Sequence, residues 1–243
     1  MLSSHMSIFI LFLIALFTQP LYAAEIQEFS ADYEIYFGDI HLGKANYRFS
    51  HSKDNYYRFD FASDLSFLIF WDERIVSSDL VYEDQHLLPS YYRHDRKGTG
   101  RDYLEEIVFD RPDNRIRATF GKESKELDYE KDIIDGLTMQ LQLMLDLQRG
   151  IERPKYRIVD FNRLKEYEFS YAGAEIINIQ NVNYDSVVFQ VVRDNERRKT
   201  QMWFSPERNY LPLQMVHFSK GKKKFNAHLV NYKELDSADK SLN

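Results

Sequence analysis

The segment FSADYEIYF, residues 29–37, decides the fold class because apolar and polar side chains alternate along it at every second position. In a β-strand, such alternation places all the apolar side chains on one face. That face consists of Phe29, Ala31, Tyr33, Ile35 and Phe37. Gly38 and Asp39 follow immediately and are typical turn residues, so the segment predicts the first strand of a β-hairpin.

The same pattern continues along most of the chain. Ala45, Tyr47 and Phe49 line the returning strand, and further short strands follow up to Tyr232, separated by turn-like connections. The chain holds 17 Tyr and 18 Phe among 243 residues, which is ample apolar surface for a core. We expect a single β-rich domain over residues 24–234 and a flexible tail over residues 235–243.

One stretch departs from the alternation. Residues 132–150 place Leu137, Leu141 and Leu145 at helical spacing, Asp135 is positioned to cap the N-terminus, and Gly150 is a stop signal. Because Leu143 and Leu147 lie off this stripe, the helix is apolar over a wide arc and must be covered on most sides. We therefore predict a mainly β, antiparallel, strongly curved sheet or partly closed barrel, with one α-helix packed on or inside it. A two-sheet β-sandwich is the alternative.

The N-terminus carries a short apolar block. Ile8 to Phe17 are ten apolar residues without charge, fewer than the roughly 20 that a membrane-spanning helix needs. The small residues Ala23 and Ala24 follow, so residues 1–23 are interpreted as a signal peptide, cleaved after Ala23 or one residue later. A membrane anchor that stays attached is the alternative. Cleavage predicts a periplasmic protein that is not integral to the membrane.

Five short motifs resemble those of a family of exported bacterial proteins, domain of unknown function 3108. The motifs are Phe29-x-Ala31-x-Tyr33, Ile40 to Ala45, Leu88 to Tyr92, Asp135 to Thr138, and the segment from Met202 to Leu213. In this last segment, a strand that contains Trp203 ends in a Ser-Pro turn, and Tyr-Leu-Pro opens the next strand. The resemblance implies an envelope protein with an antiparallel β fold and no assigned activity.

Motifs for catalysis or for metal binding do not occur in the sequence. It has no Cys, no His-x-x-x-His or His-Glu-x-x-His, and no Gly-x-Ser-x-Gly. Glu105 and Glu106 are neighbours on a predicted strand, so their carboxylates point to opposite faces. We predict no metal and no cofactor and lean against an enzyme, while that question stays open. The net charge of −6 gives no support for a nucleic acid partner.

Positive charge is concentrated in two turns of the second half. If the last four strands form an up-and-down meander, these two turns lie at the same end, and their side chains form a basic rim. Its members are Arg193, Arg197, Arg198, Lys199, Lys220, Lys222, Lys223 and Lys224. The rim could meet an anionic envelope surface. Alternatively, the charges only keep the hairpin tips soluble and prevent the strand edges from pairing with another chain.

Residues 65–71 form a second apolar run, with six apolar residues in seven. A run that is apolar on both faces favours a strand covered on both sides, and a ligand-lined pocket or a membrane-contacting loop is the alternative. Phe67, Phe70 and Trp71 are candidate ligand contacts. Trp203 is a fourth candidate, although a core position is the simpler interpretation of this residue.

These features favour a non-catalytic protein whose concave, aromatic interior binds an apolar or amphipathic component of the cell envelope. This expectation rests partly on analogy with curved-sheet lipid carriers. Two other classes remain open: a structural or assembly partner in the envelope, and an enzyme that acts on envelope polymers.

Overall fold

A computed structural model describes residues 27–192 and 197–235, which form one fifteen-stranded sheet around one α-helix. The strands are β1 (Phe29–Phe37), β2 (Ile40–Lys53), β3 (Tyr56–Phe67), β4 (Phe70–Glu83), β5 (His86–Gly98), β6 (Tyr103–Asp110), β7 (Arg115–Phe120), β8 (Glu123–Asp128), β9 (Ile133–Asp135), β10 (Lys155–Asp160), β11 (Arg163–Ile179), β12 (Val182–Val191), β13 (Arg198–Ser205), β14 (Leu211–Ser219) and β15 (Lys222–Glu234). The helix α1 spans Gly136–Gln148, and a short 3₁₀ turn spans Pro206–Arg208.

The sheet is an almost entirely antiparallel meander. Its spatial order runs from β8 down to β1, continues through β15, and ends at β9. Only β9 and β10 pair in parallel. The sheet curves strongly without closing into a barrel, and its two end regions approach each other where the Asn162 side-chain amide donates to the Glu123 carbonyl oxygen, at 2.9 Å. The prediction of a curved antiparallel sheet with one packed helix is thus confirmed, and the two-sheet sandwich is not formed.

The meander gives the molecule two rims. We call the end that carries the turns β1–β2, β3–β4, β5–β6, β7–β8, β10–β11, β12–β13 and β14–β15 the upper rim, and the opposite end the lower rim. Backbone hydrogen bonds join neighbouring turns of the upper rim: the Gly38 amide donates to the Lys224 carbonyl, at 2.9 Å, and the Lys220 amide donates to the Arg197 carbonyl, at 2.7 Å.

The helix begins directly after its predicted cap, Asp135. Ile133–Asp135 pair with β10 as the short strand β9, and α1 begins at Gly136. The predicted cap is in place, because one carboxylate oxygen of Asp135 accepts from the amides of Leu137 and Thr138 at 2.9 and 2.8 Å. After β9, the chain leaves the sheet edge and the helix runs into the interior. Helical spacing alone does not predict this path, because it gives no sign of the short strand before the helix.

The helix fills the lower half of the space enclosed by the sheet. Its N-terminus contacts Ser78, in the middle of β4, and Arg149 at its other end donates to Gln85 in the lower turn between β4 and β5. Leu141 and Leu145 pack in the main core with Phe49 and its neighbours. The opposite side of the helix packs against strands β10 to β13. Because both sides are covered, the wide apolar arc of the helix is explained.

Three predictions concern residues outside the described ranges. The signal peptide over residues 1–23 lies there, as does Arg193 of the basic rim and all but the first residue of the predicted tail. That first residue, Leu235, is buried, and its amide donates to the Glu28 carbonyl, at 2.9 Å.

Candidate functional site

An apolar pocket of about 110 Å³ lies between α1 and the inner faces of strands on both sides of β1. The strands place one side chain in every two toward it, so the alternation that defines the fold also builds the pocket. Its lining is Phe29, Tyr33 and Ile35 from β1, Ala45 and Tyr47 from β2, Phe59 and Phe61 from β3, Gln140 and Met144 from α1, Met202 from β13, Leu211, Pro212, Gln214 and Met215 from β14, and Ala227 from β15.

Two tyrosine hydroxyls in the pocket have partners and stay neutral. Tyr33 donates to the Pro212 carbonyl oxygen at 2.7 Å, and Tyr47 donates to the Gln140 side-chain oxygen at 3.0 Å. Burial raises the pKa of both phenols above the ordinary value. Since no lining residue carries a formal charge, the pocket suits a hydrocarbon or aromatic group.

Three methionines make the pocket adaptable. Met144 comes from the helix and Met202 and Met215 from the neighbouring strands β13 and β14. Methionine side chains are unbranched and flexible, so they fit groups of different shape at little cost. Met215 is 40% exposed, and Ile35 and Phe61 are partly exposed, so this side of the pocket meets solvent.

A buried polar cluster fixes the helix, and with it the pocket floor. Besides its two backbone bonds, Asp135 accepts from the hydroxyls of Ser78 and Thr138, at 2.8 and 2.7 Å. Further along the helix, the Gln142 side-chain oxygen accepts from the Leu87 amide at 2.9 Å. Because these groups are buried and their bonds link helix and sheet, they hold Gln140 and Met144 in register with the pocket strands.

The upper part of the inner face of β4, β5 and β6 is polar, whereas lower positions such as Leu80 and Ile107 belong to the apolar core. Asp72 is 3% exposed and accepts from Arg74 and Arg96, each at 2.6 Å. Burial alone would raise the pKa of Asp72, but the two guanidinium groups outweigh it and the pKa is lowered. We call this surface the ionic wall, and its members are Asp72, Arg74, His94, Arg96, Tyr103 and Glu105. The side chains of β1–β3 and β13–β15 that line the pocket form the apolar wall.

His94 and Glu105 are directly opposite each other on β5 and β6. Burial is the main cause that lowers the pKa of His94 to about 4, and the positive charge of nearby Arg74 contributes to the shift. Burial raises the pKa of Glu105 to about 7, although the Phe161 amide donates to one of its oxygens. The second carboxylate oxygen of Glu105 is buried without a hydrogen-bond partner in the described structure. A neutral imidazole therefore lies beside a carboxyl group that titrates near neutral pH.

Sequence reasoning separated Glu105 from Glu106 but did not single out the buried one. The prediction that they face opposite ways is confirmed: Glu105 is fully buried, whereas Glu106 accepts from Tyr91 and Arg93 on the outer face. A signal existed, because Glu105 shares its alternation with Ile107 and Phe109, both of which are buried. A carboxylate that alternates along a strand with apolar residues of the inner face is expected to be buried with them.

The four predicted ligand contacts are not brought together. Phe67, Phe70 and Trp71 lie at the tip of the β3–β4 hairpin, where Leu68 and Ile69 form the turn. The interpretation of residues 65–71 as one covered strand is therefore wrong, because the run contains the end of one strand, a turn and the start of the next. Trp203 is buried on the outer face of β13 with Val188 and Val216, opposite Met202 and Phe204. None of the four lines the pocket.

The described cations of the basic rim lie at one end of the sheet, as the meander requires. Arg198 pairs with Ser219, and Lys220 bonds to Arg197 through the backbone, so the β12–β13 and β14–β15 turns are adjacent. All of them are exposed except Lys224, which is half-buried with its ammonium 5.4 Å from the centre of the Phe37 ring.

The model of a protein family of unknown function, DUF3108, matches residues 32–227, from the first strand to the last. The chain belongs to the DUF3108 family. The match covers far more than half of the chain and includes every strand around the pocket. No curated protein matches the sequence.

The DUF3108 chain is also similar to solved structures. A β-barrel-like protein of domain of unknown function DUF1849 from Brucella abortus aligns over 88% of this chain and 100% of its own, with a TM-score of 0.57 and 11% identity. This likeness shows the fold alone. A putative exported protein with a YmcC-like fold from Bacteroides fragilis aligns over 86% of this chain and 97% of its own, with a TM-score of 0.33 and 8% identity.

Two negative findings apply to the part of the DUF3108 chain that the structure describes. Among residues 27–192 and 197–235, there is no group of three or more metal-ligating side chains that could hold a metal ion. Over the same residues, no helix has both the length and the apolar character that crossing a bilayer requires.

Proposed function

We propose that this protein is exported to the periplasm and there binds, without catalysis, one apolar or amphipathic molecule of the cell envelope. The single observation that carries the proposal is the pocket between α1 and the apolar wall. It is uncharged, aromatic and flexible at its methionines, which is the usual composition of a site for an apolar group.

The volume of the pocket limits what enters it. A dry cavity of about 150 Å³ lined by apolar side chains is large enough for benzene. The pocket here, at about 110 Å³, suits one small ring or a short alkyl segment rather than a whole lipid. Burying hydrocarbon contributes about 0.8 kcal/mol for each methylene group. The ligand therefore places one apolar end in the pocket, and the rest of the molecule lies outside it.

The ionic wall supports an amphipathic ligand. Arg74 and Arg96 lie on the inner face of β4 and β5, where both pair with Asp72, closer to the upper rim than Ser78, which the helix N-terminus contacts. A molecule with an apolar end and a polar or anionic end matches an interior that is apolar on one wall and ionic on the other.

Binding of N-phenyl-1-naphthylamine, an apolar fluorescent probe, tests the proposal. Ala227→Leu adds side-chain volume to the pocket and should weaken binding of the probe at least tenfold. Ala62→Leu makes the same change on the exposed outer face of β3 and should leave the affinity within twofold of the wild type. Equal affinities for the two variants would contradict a ligand site in this pocket.

The natural ligand and the compartment need separate experiments. Native mass spectrometry of the protein isolated from its own cells, followed by lipid extraction, should show a bound molecule that Ala227→Leu lacks. N-terminal sequencing of the periplasmic fraction should begin at Ala24 or one residue later. Recovery of the uncut chain in the membrane fraction would contradict the proposed location.

A further inference from the structure

The most exposed apolar side chains of the described structure stand together on one hairpin. Leu68 and Ile69 are 89% and 93% exposed, and Phe67, Phe70 and Trp71 beside them are each more than one-third exposed. We call residues 67–71 the prong. Single exposed apolar residues are ordinary on protein surfaces, but five in sequence at the tip of a projecting hairpin are not.

The turn of the prong is made from unusual residues. Two-residue hairpin turns favour Asn, Asp and Gly because these residues tolerate positive φ. Here the turn is Leu68–Ile69, and Leu68 has φ of +55°. A bulky residue in this conformation costs about 1 kcal/mol or more. Neither solubility nor turn geometry explains the presence of Leu68 and Ile69 in this turn. We therefore infer that their exposed apolar side chains have a role of their own.

The prong is braced by the neighbouring β5–β6 turn. The Thr99 hydroxyl accepts from the Trp71 amide at 3.0 Å and donates to the Ile69 carbonyl at 3.2 Å, and the Thr99 amide donates to the Trp71 carbonyl at 2.8 Å. Gly98 makes this approach possible, because a Cβ there would lie 2.4 Å from the Trp71 carbonyl oxygen. The apolar tip is thus fixed in place, which lowers the entropic cost of inserting it into another phase.

Cations lie along the upper rim on both sides of the prong. In the direction of β5 to β8 they are Lys97, Arg101, Lys122 and Lys125, and in the direction of β15 to β13 they are Lys224, Lys223, Lys222, Lys220, Lys199, Arg198 and Arg197. The described turns of this rim contain the acidic residues Asp39 and Asp102, and the adjoining strand ends add the exposed residues Glu73, opposite Lys97, and Glu123. Where the ends of the sheet approach each other, a cleft of about 620 Å³ has five cations and one carboxylate in its lining, together with uncharged residues such as Phe120 and Phe161. The charged residues are Arg101, Lys122, Glu123, Lys125, Arg163 and Lys165.

More apolar surface lies between the prong and the lysine-rich β14–β15 turn. Phe37, Ile40 and Phe225 are each about 40–46% exposed, and the rings of Phe37 and Phe225 contact each other with centroids 5.3 Å apart. The upper rim thus combines a projecting apolar tip, a shallower aromatic patch and surrounding positive charge, although the whole chain has a net charge of −6.

We propose that the upper rim docks on a bilayer that contains anionic lipids, with Leu68 and Ile69 inserted among the acyl chains and the rim cations at the headgroups. Charge complementarity favours this occupant: a polybasic rim gains attraction from each anionic headgroup, and a narrow projecting tip suits a fluid phase better than the flat surface of a protein partner. With one small apolar insertion, binding is reversible and sensitive to salt. The proposal does not depend on ligand binding in the pocket.

A single-tryptophan experiment tests the insertion directly. The chain has two tryptophans, so Trp203→Phe in the full chain leaves Trp71, in the prong, as the only one. Vesicles of phosphatidylglycerol and phosphatidylcholine with brominated acyl chains should quench Trp71 and shift its emission to the blue. Trp71→Phe, which leaves only the buried Trp203, should show no quenching. Because the readout is local, residues 1–26 cannot produce it.

Paired variants test the two components of the surface. Leu68→Asp with Ile69→Asp should weaken vesicle binding of the prong at least tenfold, and Val182→Asp, exposed at the lower rim, should not weaken it. Lys222→Glu with Lys223→Glu should have a comparable effect, while Lys53→Glu with Lys131→Glu at the lower rim should change little.

Three results would overturn the proposal: no quenching of Trp71, equal quenching with phosphatidylcholine alone, or equal losses for upper-rim and lower-rim variants. A protein partner in place of a bilayer would appear as the first of these. Ala227→Leu should leave Trp71 quenching unchanged, so failure of the ligand pocket and failure of membrane docking are distinguishable.

Discussion

The two walls of the upper interior are built by the same strand alternation and are chemically opposite. On the apolar wall, inward positions hold residues such as Tyr33, Tyr47 and Met215, and the tyrosine hydroxyls are satisfied locally. On the ionic wall, the inward positions hold charged and titratable groups, including Asp72 and Glu105. This interior is therefore not a uniform core. One wall is suited to hydrocarbon, and the other holds polar groups in a buried environment at a cost in stability.

A mutation in the buried polar cluster around Asp135 should have the largest effect on stability. Asp135→Ala removes the helix cap and leaves the Ser78 and Thr138 hydroxyls and two amides without their acceptor. We expect the free energy of unfolding to fall by about 4 kcal/mol. Urea denaturation measures it, with Asp39→Ala in the exposed β1–β2 turn as the control. A loss below about 1 kcal/mol would mean that the helix does not depend on this anchor.

The ionic wall should make stability depend on pH. The folded protein holds a proton on Glu105 up to pH about 7, whereas the unfolded chain releases it near pH 4.5. Between these values the folded state binds more protons, so stability falls as the pH rises and becomes constant above pH 7. The shift corresponds to about 3 kcal/mol, at 1.36 kcal/mol for each unit of pKa.

Glu105→Gln isolates this contribution because it keeps the shape of the side chain and cannot ionise. The difference in unfolding free energy between the variant and the wild type should grow in the variant's favour from pH 5 to pH 7.5. His94, whose lowered pKa has the opposite effect on stability below pH 6.5, is present in both proteins and affects both curves. Parallel curves would show that Glu105 titrates normally and that the wall is hydrated.

A charge placed on the apolar wall should weaken ligand binding more than it lowers stability. Met215→Glu introduces a carboxylate at the partly exposed side of the pocket, where Met215 is 40% exposed. We expect less than about 1 kcal/mol of lost stability. Binding of N-phenyl-1-naphthylamine should nevertheless weaken about tenfold, because the probe must share the pocket with a charge. Met215→Leu serves as the control and should bind nearly as well as the wild type.

A small effect, on stability alone, is expected for one hydroxyl of the apolar wall. Tyr47→Phe removes the hydrogen bond to Gln140 and leaves the shape of the ring unchanged. The cost should be about 1 kcal/mol, with no dependence on pH between 5 and 8, because the phenol is neutral throughout. Thermal unfolding at several pH values checks it. A pH-dependent difference would indicate that the apolar wall contains a titrating group after all.

The sequence predicts the apolar wall far better than the ionic wall. Phe29 to Phe37 alternate so regularly that their inner face is evident, and Asp135 is recognised as a cap because the helical pattern starts directly after it. The ionic wall is not evident because charged residues at inward positions look like exposed ones until the strand register is known. For Glu105, the alternation with Ile107 and Phe109 is a sequence signal of burial, but the pairing with His94 becomes visible only in the folded sheet.

The pocket and the prong lie beyond sequence reasoning for different physical reasons. Whether inward aromatic residues form a solid core or leave a gap depends on how α1 packs against the strands, and no local pattern fixes that packing. The prong was misread because a continuous apolar run does not distinguish a buried strand from a hairpin tip, and Leu68 and Ile69 are not turn formers. Side-chain identity predicts a turn only where the turn consists of residues that favour turn conformations.

The most direct test of the central claim is a crystal structure of the protein with 12-bromododecanoic acid, with the bromine located by anomalous scattering. The ligand has an apolar end, an anionic end and a heavy atom at the apolar end. We expect bromine between α1 and the apolar wall, in contact with Tyr47, Met144 or Met215. A bromine bound only at the exposed residues 67–71, or no ordered ligand in the interior, would contradict it.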